Sequence, residues 1–466
     1  MAIDSFCPFD ALSKLVTQIA PPAGTKLVLA YSGGVDSEVL AYGLSQLSKV
    51  NSELSYQLVH VHHGLSDNAD GWQSHCERRA REYGLPIAVK RVTVARGARI
   101  SLEAAARDAR YAALREELNP GDILLTAHHQ DDQLETLLLA LKRGLGPKGL
   151  AAMGEVQAFS PDNLMLRPLL GVARAQIEAF AKAAGVTHIQ DESNLDSRFD
   201  RNFLRLEVLP TLTARWPAFA ATASRSAQLC AEQQALIDEE VSLRLPAMLV
   251  SVPHAEYQVL DLKALANERA LWRPHLLRGF IEYRGFALPS AAQLGEILNQ
   301  LLAAKNDAQV AIRIKSMQLR RFQHHLYLDP VVLEPRVGRR LTGVGPHPDT
   351  PELSWPIDSR LQLRATWAET GSRLTLDESL PLRLAFGAPG GLRCHPHSRD
   401  KGRELKKLWQ EFAVPPWERS RVPLIFAGDK LVAAVGYWVE KSYLAGEGEG
   451  GWQFTLACST GSIANP

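Results

Sequence analysis

Across the first two hundred residues, short apolar runs alternate with stretches whose apolar positions recur at helical spacing. KLVLAY (26–31), YQLVHVHH (56–63), PIAVKRVTV (86–94) and DILLTAHH (122–129) have the length and apolar content of buried strands. Between them, SEVLAYGLSQLSK and SLEAAARDARYAALREEL place apolar residues three and four apart, the second after Ser101, a candidate N-cap. Strand and helix in alternation predict an α/β fold, a doubly wound and mostly parallel sheet with helices on both faces. Ligands of such sheets bind beyond the carboxyl ends of the strands. SGGVDS (32–37) and AHHQDD (127–132) both follow strand ends, so both are expected at one crevice.

The pattern changes near Trp216. ALIDEEVSLRL, DLKALANERALWRPHLLRGFIEY and SAAQLGEILNQLLAAK read as helices, and AIRIKSMQLRRFQHHLYL as a strand pair. Leu341 to Asp358 holds Pro346, Pro348, Pro351 and Pro356 without periodicity, and reads as a linker or irregular segment. Beyond it, RLAFGAPGGLR, a helix ELKKLWQEF and strands PLIFAGD and KLVAAVGYWV around Gly428-Asp429 suggest a small α+β domain. The expected organisation is a nucleotide-binding domain over 1–215, a mainly helical domain over 216–340, a linker over 341–375 and the small domain over 376–460.

With 466 residues, 46% hydrophobic and 22% charged, the chain has an ordinary globular balance and room for two to four domains. No apolar run approaches the ~20 residues of a membrane helix, and MAIDSFCPFDALSKL lacks the basic-then-apolar order of a secretion signal. Cys7, Cys76, Cys230, Cys394 and Cys458 are scattered singly, with no zinc-ribbon or iron–sulfur spacing, which points to a reduced, cytoplasmic setting. Net charge is +1, so any nucleic-acid contact must come from local patches. Two basic runs qualify: Arg313, Lys315, Arg320 and Arg321, and the stretch carrying Arg393, Lys401, Arg403, Lys406 and Lys407. On charge alone, either run reads first as a solvated face and second as a binding site.

The chemistry concentrates in the first domain. SGGVDS is neither G-x-x-x-x-G-K-S/T nor G-x-G-x-x-G. Gly33 and Gly34 allow close backbone approach, and a helix starting near Asp36 adds free amides and the positive end of its dipole. Without a phosphate-loop lysine, the pattern suits a bound pyrophosphate and reaction at the α-phosphate, with Asp36 placed to hold Mg²⁺. In the second motif Asp131, Asp132 and Glu135 fall within the first turns of one helix, beside His128 and His129. Such a cluster can bind Mg²⁺ or an amino acid's ammonium groups, accept a proton, or merely complement the helix dipole.

SGGVDS after a strand resembles the PP-loop of the ATP pyrophosphatase superfamily. TAHHQDDQLETLLLALKRGLGPKGLAAM (126–153) closely resembles the second motif of the tRNA(Ile)-lysidine synthetase family. RPLLGVARAQIEAFAKAAGV (167–186), DESNLDSRFDRNFLRLEVLP (191–210) and LKKLWQEFAVPPWERSRVPLIFAGDKLVAAVGYWV (405–439) are similar to its later segments. The resemblance implies ATP-dependent ligation of L-lysine to C2 of the wobble cytidine in the CAU anticodon of a minor isoleucine tRNA, through an adenylated cytidine.

It further implies that Ser32, Gly33, Gly34, Val35, Asp36 and Ser37 bind ATP, with Asp36 near Mg²⁺. His129, Asp131, Asp132 and Glu135 would hold lysine or metal, with the division left open. Arg107 with Arg110, and Arg201 with Arg205, are three and four apart on their helices and are candidates for stabilising the leaving pyrophosphate. The helical region and the small domain, with the two basic runs, would contact tRNA. Trp409 and Trp417 read first as core residues and second as base-stacking surfaces. A homodimer is compatible with the long helical middle. The rival readings are a tRNA thiolase, disfavoured by the absence of paired cysteines, a small-molecule amidoligase, and an RNA-binding protein without activity.

Overall fold

The computed structural model describes residues 6–94, 102–192, 196–252, 255, 257–304, 310–344, 352–359, 361–376 and 381–458. The chain forms two compact units, 1–238 and 239–466. Ser101, Pro346, Pro348 and Pro351 lie outside the described residues.

The first unit contains, in order, α1 (Pro8–Ile19), β1 (Lys26–Ala30), α2 (Val35–Val50), β2 (Ser55–His62), α3 (Ala69–Tyr83), β3 (Ile87–Arg91) and α4 (Leu102–Glu116). It continues with β4 (Ile123–Leu125), α5 (Gln130–Lys142), α6 (Pro147–Leu150), β5 (Val156–Ser160), β6 (Asn163–Leu166) and α7 (Arg174–Ala183). After α8 (Asp200–Phe203), a π-helical turn over Leu204–Val208 leads into α9 (Leu209–Arg215) and α10 (Phe219–Arg244).

The sheet order is β3-β2-β1-β4-β6-β5. Every pairing is parallel except that of β5 with β6. The predicted doubly wound parallel sheet is therefore present, with one antiparallel edge strand. Its strands are apolar on both faces because both are covered. Leu27 and Leu29 of β1 enter a core with Leu12, Val39 and Ile177, while Val28 between them faces Leu114 and Met165. The chain winds outward from β1 through β2 to β3, then returns to β4 on the other side of β1. That reversal opens a crevice at the carboxyl ends of β1 and β4. SGGVDS follows the first strand and HHQDD the second.

The second unit departs from the sequence reading. The division between the two compact units falls at 238/239, within α10. Strands β7 (Leu249–Val250) and β8 (Val259–Asp261) precede α11 (Leu262–Asn267), α12 (Arg273–Tyr283) and α13 (Ala291–Ala303). The expected strand pair is three strands, β9 (Ala311–Ile314), β10 (Met317–Phe322) and β11 (His325–Pro330). Together they form a five-stranded sheet, β7-β8-β11-β10-β9. Strands of two and three residues are too short to show a period of two, which is why the region reads as mainly helical in sequence.

The expected linker also holds strands: β12 (Arg339–Leu341) ends at its first residue, and β13 (Glu352–Pro356) and β14 (Leu361–Ala368) lie within it. Leu361, Leu363 and Ala365 alternate into the core. Leu361 to Ala368 pair in full with the last strand. That partner lies some ninety residues away, so the prolines are visible in the sequence and the pairing is not. Pro356 sits at the end of an edge strand, where its missing N–H costs nothing.

The remaining elements are β15 (Leu382–Phe386), β16 (Arg393–Cys394), β17 (Arg403–Glu404), α14 (Leu405–Glu411), β18 (Pro423–Ala427), β19 (Lys430–Ala434), β20 (Trp438–Val439) and β21 (Gly451–Cys458). They form the sheets β12-β15-β18-β19-β20 and β13-β14-β21 and the ribbon β16-β17.

Candidate active site

A cavity of about 1030 Å³ opens at the β1/β4 crevice, lined by Ser32, Gly34, Asp36, Ser37, His128, His129, Asp132, Arg110, Arg174 and Arg205, among others. The loop 32–37 forms because the chain must leave β1 and enter α2 within four residues. Gly33 takes φ +81°, and a Cβ there would lie 2.4 Å from Ile189 Cδ1 and 2.9 Å from Cys76 Sγ, so glycine is required. Ile189 N donates to Gly33 O, which lays the 188–192 segment along the loop. Ser37 is buried and spends its hydroxyl on Gly34 O and Ser32 Oγ, at 3.0 and 3.1 Å. Ser32 is exposed. The two serines are therefore not equivalent: Ser37 braces the loop and Ser32 is open to a ligand.

Asp36, on the first turn of α2, points at the second motif. Its Oδ1 lies 3.7 Å from His129 Nε2 and its Oδ2 3.3 Å from Arg174 Nη1. Oδ1 is buried without a hydrogen-bond partner. Burial raises the Asp36 carboxyl above the usual carboxylate range, against the pull of His129 and Arg174. Among the described residues no set of three His, Cys, Asp or Glu side chains is arranged to hold a metal alone. An unpartnered carboxylate oxygen beside a phosphate-sized loop fits Mg²⁺, which takes one or two carboxylates and fills its shell with phosphate and water oxygens.

The acids of the second motif separate into different tasks. Helix α5 begins at Gln130, with His129 as N-cap. Asp132 Oδ2 accepts from His129 N at 3.0 Å, so this acid closes the helix terminus. Burial pushes Asp132 up, but His129, His128 and the accepted amide outweigh it and hold the carboxyl below its ordinary value. Asp131 accepts from Arg174 N at 2.9 Å and so caps the start of α7. Glu135 is fully buried and takes Arg205 Nε at 2.8 Å and Nη2 at 3.1 Å, a bidentate pair. Arg205 Nη2 also reaches Asp132 Oδ1 at 3.2 Å. Burial of His128 holds its imidazole neutral, pushed down to about 3.

The four predicted arginines divide. Arg205 and Arg110 line the cavity; Arg107 and Arg201 do not. Arg107 is exposed and packs its guanidinium over Tyr111, where Arg110 also lies. Arg201 sits 3.2 Å from Thr136 Oγ1 and 3.8 Å from Glu135, holding α8 against α5. Sequence reasoning missed Arg174, which lies inside the segment RPLLGVARAQIEAFAKAAGV but has no neighbour in sequence that marks it. It also missed Trp72, His63 and His188, which the topology alone brings to the crevice.

The basic runs divide too. Arg321 is buried, its guanidinium donating to Leu301 O and Ala304 O at the end of α13, so it is a helix cap and not a surface cation. Arg320 is mostly buried, between Asp329 at 3.9 Å and the Trp417 ring. Both are withdrawn from the expected phosphate-contacting set. Arg313, Lys315, Arg393, Lys401, Arg403, Lys406 and Lys407 are exposed. Arg403 is engaged by Glu411 and Lys407 faces Glu404. Trp409 is core, and Trp417 is half-buried edge-on against Phe322 and Tyr327.

Residues 10–212 match the family described as PP-loop domain, 260–327 the TilS substrate binding domain and 382–456 the TilS substrate C-terminal domain. A tRNA(Ile)-lysidine synthase of Shewanella woodyi is 54% identical over 443 residues, 93% of each chain. The chain belongs to the tRNA(Ile)-lysidine synthase family. A synthase of the same name from Shewanella oneidensis is 54% identical over 450 residues, 93% of this chain and 95% of the relative. One from Escherichia coli O157:H7 is 39% identical over 434 residues, covering 92% and 96%. Within the family frame, the PP-loop match takes in the whole parallel sheet and every residue of the crevice. The substrate-binding match begins inside β8 and ends within β11.

Proposed function

We propose that the chain joins L-lysine to C2 of the wobble cytidine in the CAU anticodon of a minor isoleucine tRNA, consuming ATP and releasing AMP and pyrophosphate. The observation that carries this reading is the convergence of an open phosphate loop, an orphaned buried carboxylate oxygen and three arginines in one cavity at the sheet's switch point. It is joined by full-length similarity to relatives that bear the synthase name.

The ATP phosphates lie over Ser32, Gly33, Gly34 and Val35 to Ser37, against the amino end of α2. The cytidine O2 attacks the α-phosphorus and pyrophosphate departs. Arg174 and Arg205, both facing the cavity, offset the charge that develops as it leaves. Arg110 lines the same cavity as a further cation. Asp36 would hold Mg²⁺, which supplies charge neutralisation to the phosphates when bound. The lysine ε-nitrogen then attacks C2, and AMP leaves with the former O2.

The amine must shed a proton to attack. His129, buried with Nδ1 free of hydrogen bonds 3.7 Å from Asp131 Oδ2 and Nε2 between Asp36 and Asp132, is placed to accept it. Glu135 acts through Arg205, holding it by two hydrogen bonds; Asp131 and Asp132 fix the ends of α7 and α5 around the site. The remaining exposed cations, Arg313, Lys315, Arg393, Lys401, Arg403, Lys406 and Lys407, serve the tRNA backbone, in a cytoplasmic setting.

The test is incorporation of labelled lysine into a CAU transcript of the minor isoleucine tRNA with ATP and Mg²⁺, beside a UAU transcript. Label in the first alone is expected. Pyrophosphate release without label would leave adenylation and remove lysine ligation. ATP turnover with neither transcript would overturn the reading.

A further inference from the structure

We propose that Tyr31 and Glu38 form a clamp across the base of the phosphate loop and act as its positioning residues. The two side chains bracket the loop: Tyr31 is the last residue before Ser32, and Glu38 the first after Ser37. Tyr31 Oη donates to Glu38 Oε1 at 2.5 Å, joining the two ends of the six-residue turn.

Glu38 is fully buried yet lacks no partner. His75 Nε2 meets the same oxygen at 3.0 Å, and the other oxygen takes Tyr83 Oη at 2.8 Å and Arg79 Nε at 3.3 Å. All three come from α3, which also presses Cys76 beneath Gly33. A carboxylate with every acceptor position filled, one of them by a cation, is held in a single orientation. Tyr31 is fixed independently at its backbone, N–H to Val59 O at 2.9 Å and C=O to His60 Nδ1 at 3.0 Å. The clamp thus ties the loop to β2 on one side and to α3 on the other.

Its effect on function follows from geometry. The loop's own bonds, Ser37 to Gly34 and Ser32, lie inside the turn, and Ile189 N ties its crown at Gly33 O. The Tyr31–Glu38 bond adds a tie between the two residues that flank the turn. A loop that must receive phosphates with its backbone depends on sub-ångström placement, and a small displacement there costs binding without touching distant groups. This inference rests on the proposed reading that the loop takes the ATP phosphates.

The test is the dissociation constant for ATP with Mg²⁺, measured by calorimetry, together with steady-state constants for ATP and lysine. Tyr31→Phe removes one hydroxyl and nothing else. It is expected to weaken ATP binding and raise KM for ATP by about tenfold, one hydrogen bond's worth. KM for lysine and kcat should stay within about twofold, since the change falls on uniform ATP binding. Glu38→Gln neutralises the acceptor that Tyr31 shares with His75, Tyr83 and Arg79, so its loss should be at least as large, and adding Tyr31→Phe to it should cost less than Tyr31→Phe costs alone, because the two side chains share one bond. A merely structural role would lower the melting temperature of the variants with ATP affinity intact, and that result overturns the clamp. Should Tyr31→Phe prove unstable, Glu38→Gln decides by the same criterion. If the wild-type protein binds no ATP, the loop's assignment falls and the clamp with it. If the wild type binds ATP and both variants bind it equally, only the clamp falls.

Discussion

Asp36 is the residue at which stability and function pull apart. Its carboxylate is buried, one oxygen has no partner, and burial opposes its ionisation. Asp36→Asn should therefore leave the melting temperature unchanged or raise it, as replacements at strained functional sites often do. Ligation should fall at least about hundredfold in kcat/KM, the scale of losing one charged group at a reacting phosphate. A thermal melt and single-turnover kinetics on the same preparation check both halves.

His63 gives the pH prediction at this scale. Burial pushes its imidazole from 6.5 down to about 4, with Arg110, His60 and His62 acting in the same direction and Asp191 against. The folded state holds His63 neutral, so below pH 6.5 the unfolded chain binds the proton more readily. Its contribution is therefore fully present above pH 6.5 and is lost as pH falls toward 4. His63→Gln should flatten the fall in unfolding free energy between pH 6.5 and 4.5, measured by urea denaturation at several pH values. An unchanged slope would show that His63 is not held neutral.

Among the elements, α13 depends on a side chain that the sequence places in a basic patch. Arg321 reaches from β10 to carbonyls at the end of α13, where unpaired carbonyls need donors. Arg321→Ala should cost about 2–3 kcal/mol, as expected for removing a charged donor from buried acceptors. It should leave the salt dependence of tRNA binding unaltered. Denaturation and binding titrations at two salt concentrations separate the two effects.

The π-helical turn over Leu204–Val208 is the other element of consequence. It lies between Arg201, on the preceding turn, and α9, and it contains Arg205. Spacing alone puts Arg201 and Arg205 on one face, and both do reach Glu135. Only the tertiary packing shows that Arg205 enters the cavity while Arg201 stays behind it.

For the whole molecule, a net charge of +1 means that the proposed tRNA contact depends on local groups of exposed cations. Replacing Lys401, Lys406 and Lys407 together by Gln should lower the slope of log K against log salt for tRNA by up to about 2–3, roughly 0.7–0.9 for each phosphate no longer neutralised. ATP affinity should not change. An unaltered slope in filter-binding titrations would remove this patch from the tRNA surface.

The sequence determined the chemistry and the first unit's plan. Alternating apolar runs and helical periods specify a parallel sheet because each such strand is buried on both faces. Consecutive residues 32–37 and 127–135 are legible as two parts of the cavity because the loop and the helix terminus are local structures. Tertiary structure decided what depends on distant partners. The segment read as a linker became β13 and β14 because β14 pairs with β21. Arg321 left the basic surface because α13 ends beside it. Asp131, Asp132 and Glu135, clustered on the first turns of one helix, became a cap for α7, a cap for α5 and an anchor for Arg205. Local patterns write the elements, but a side chain's partner is set by elements that the fold brings from far along the chain.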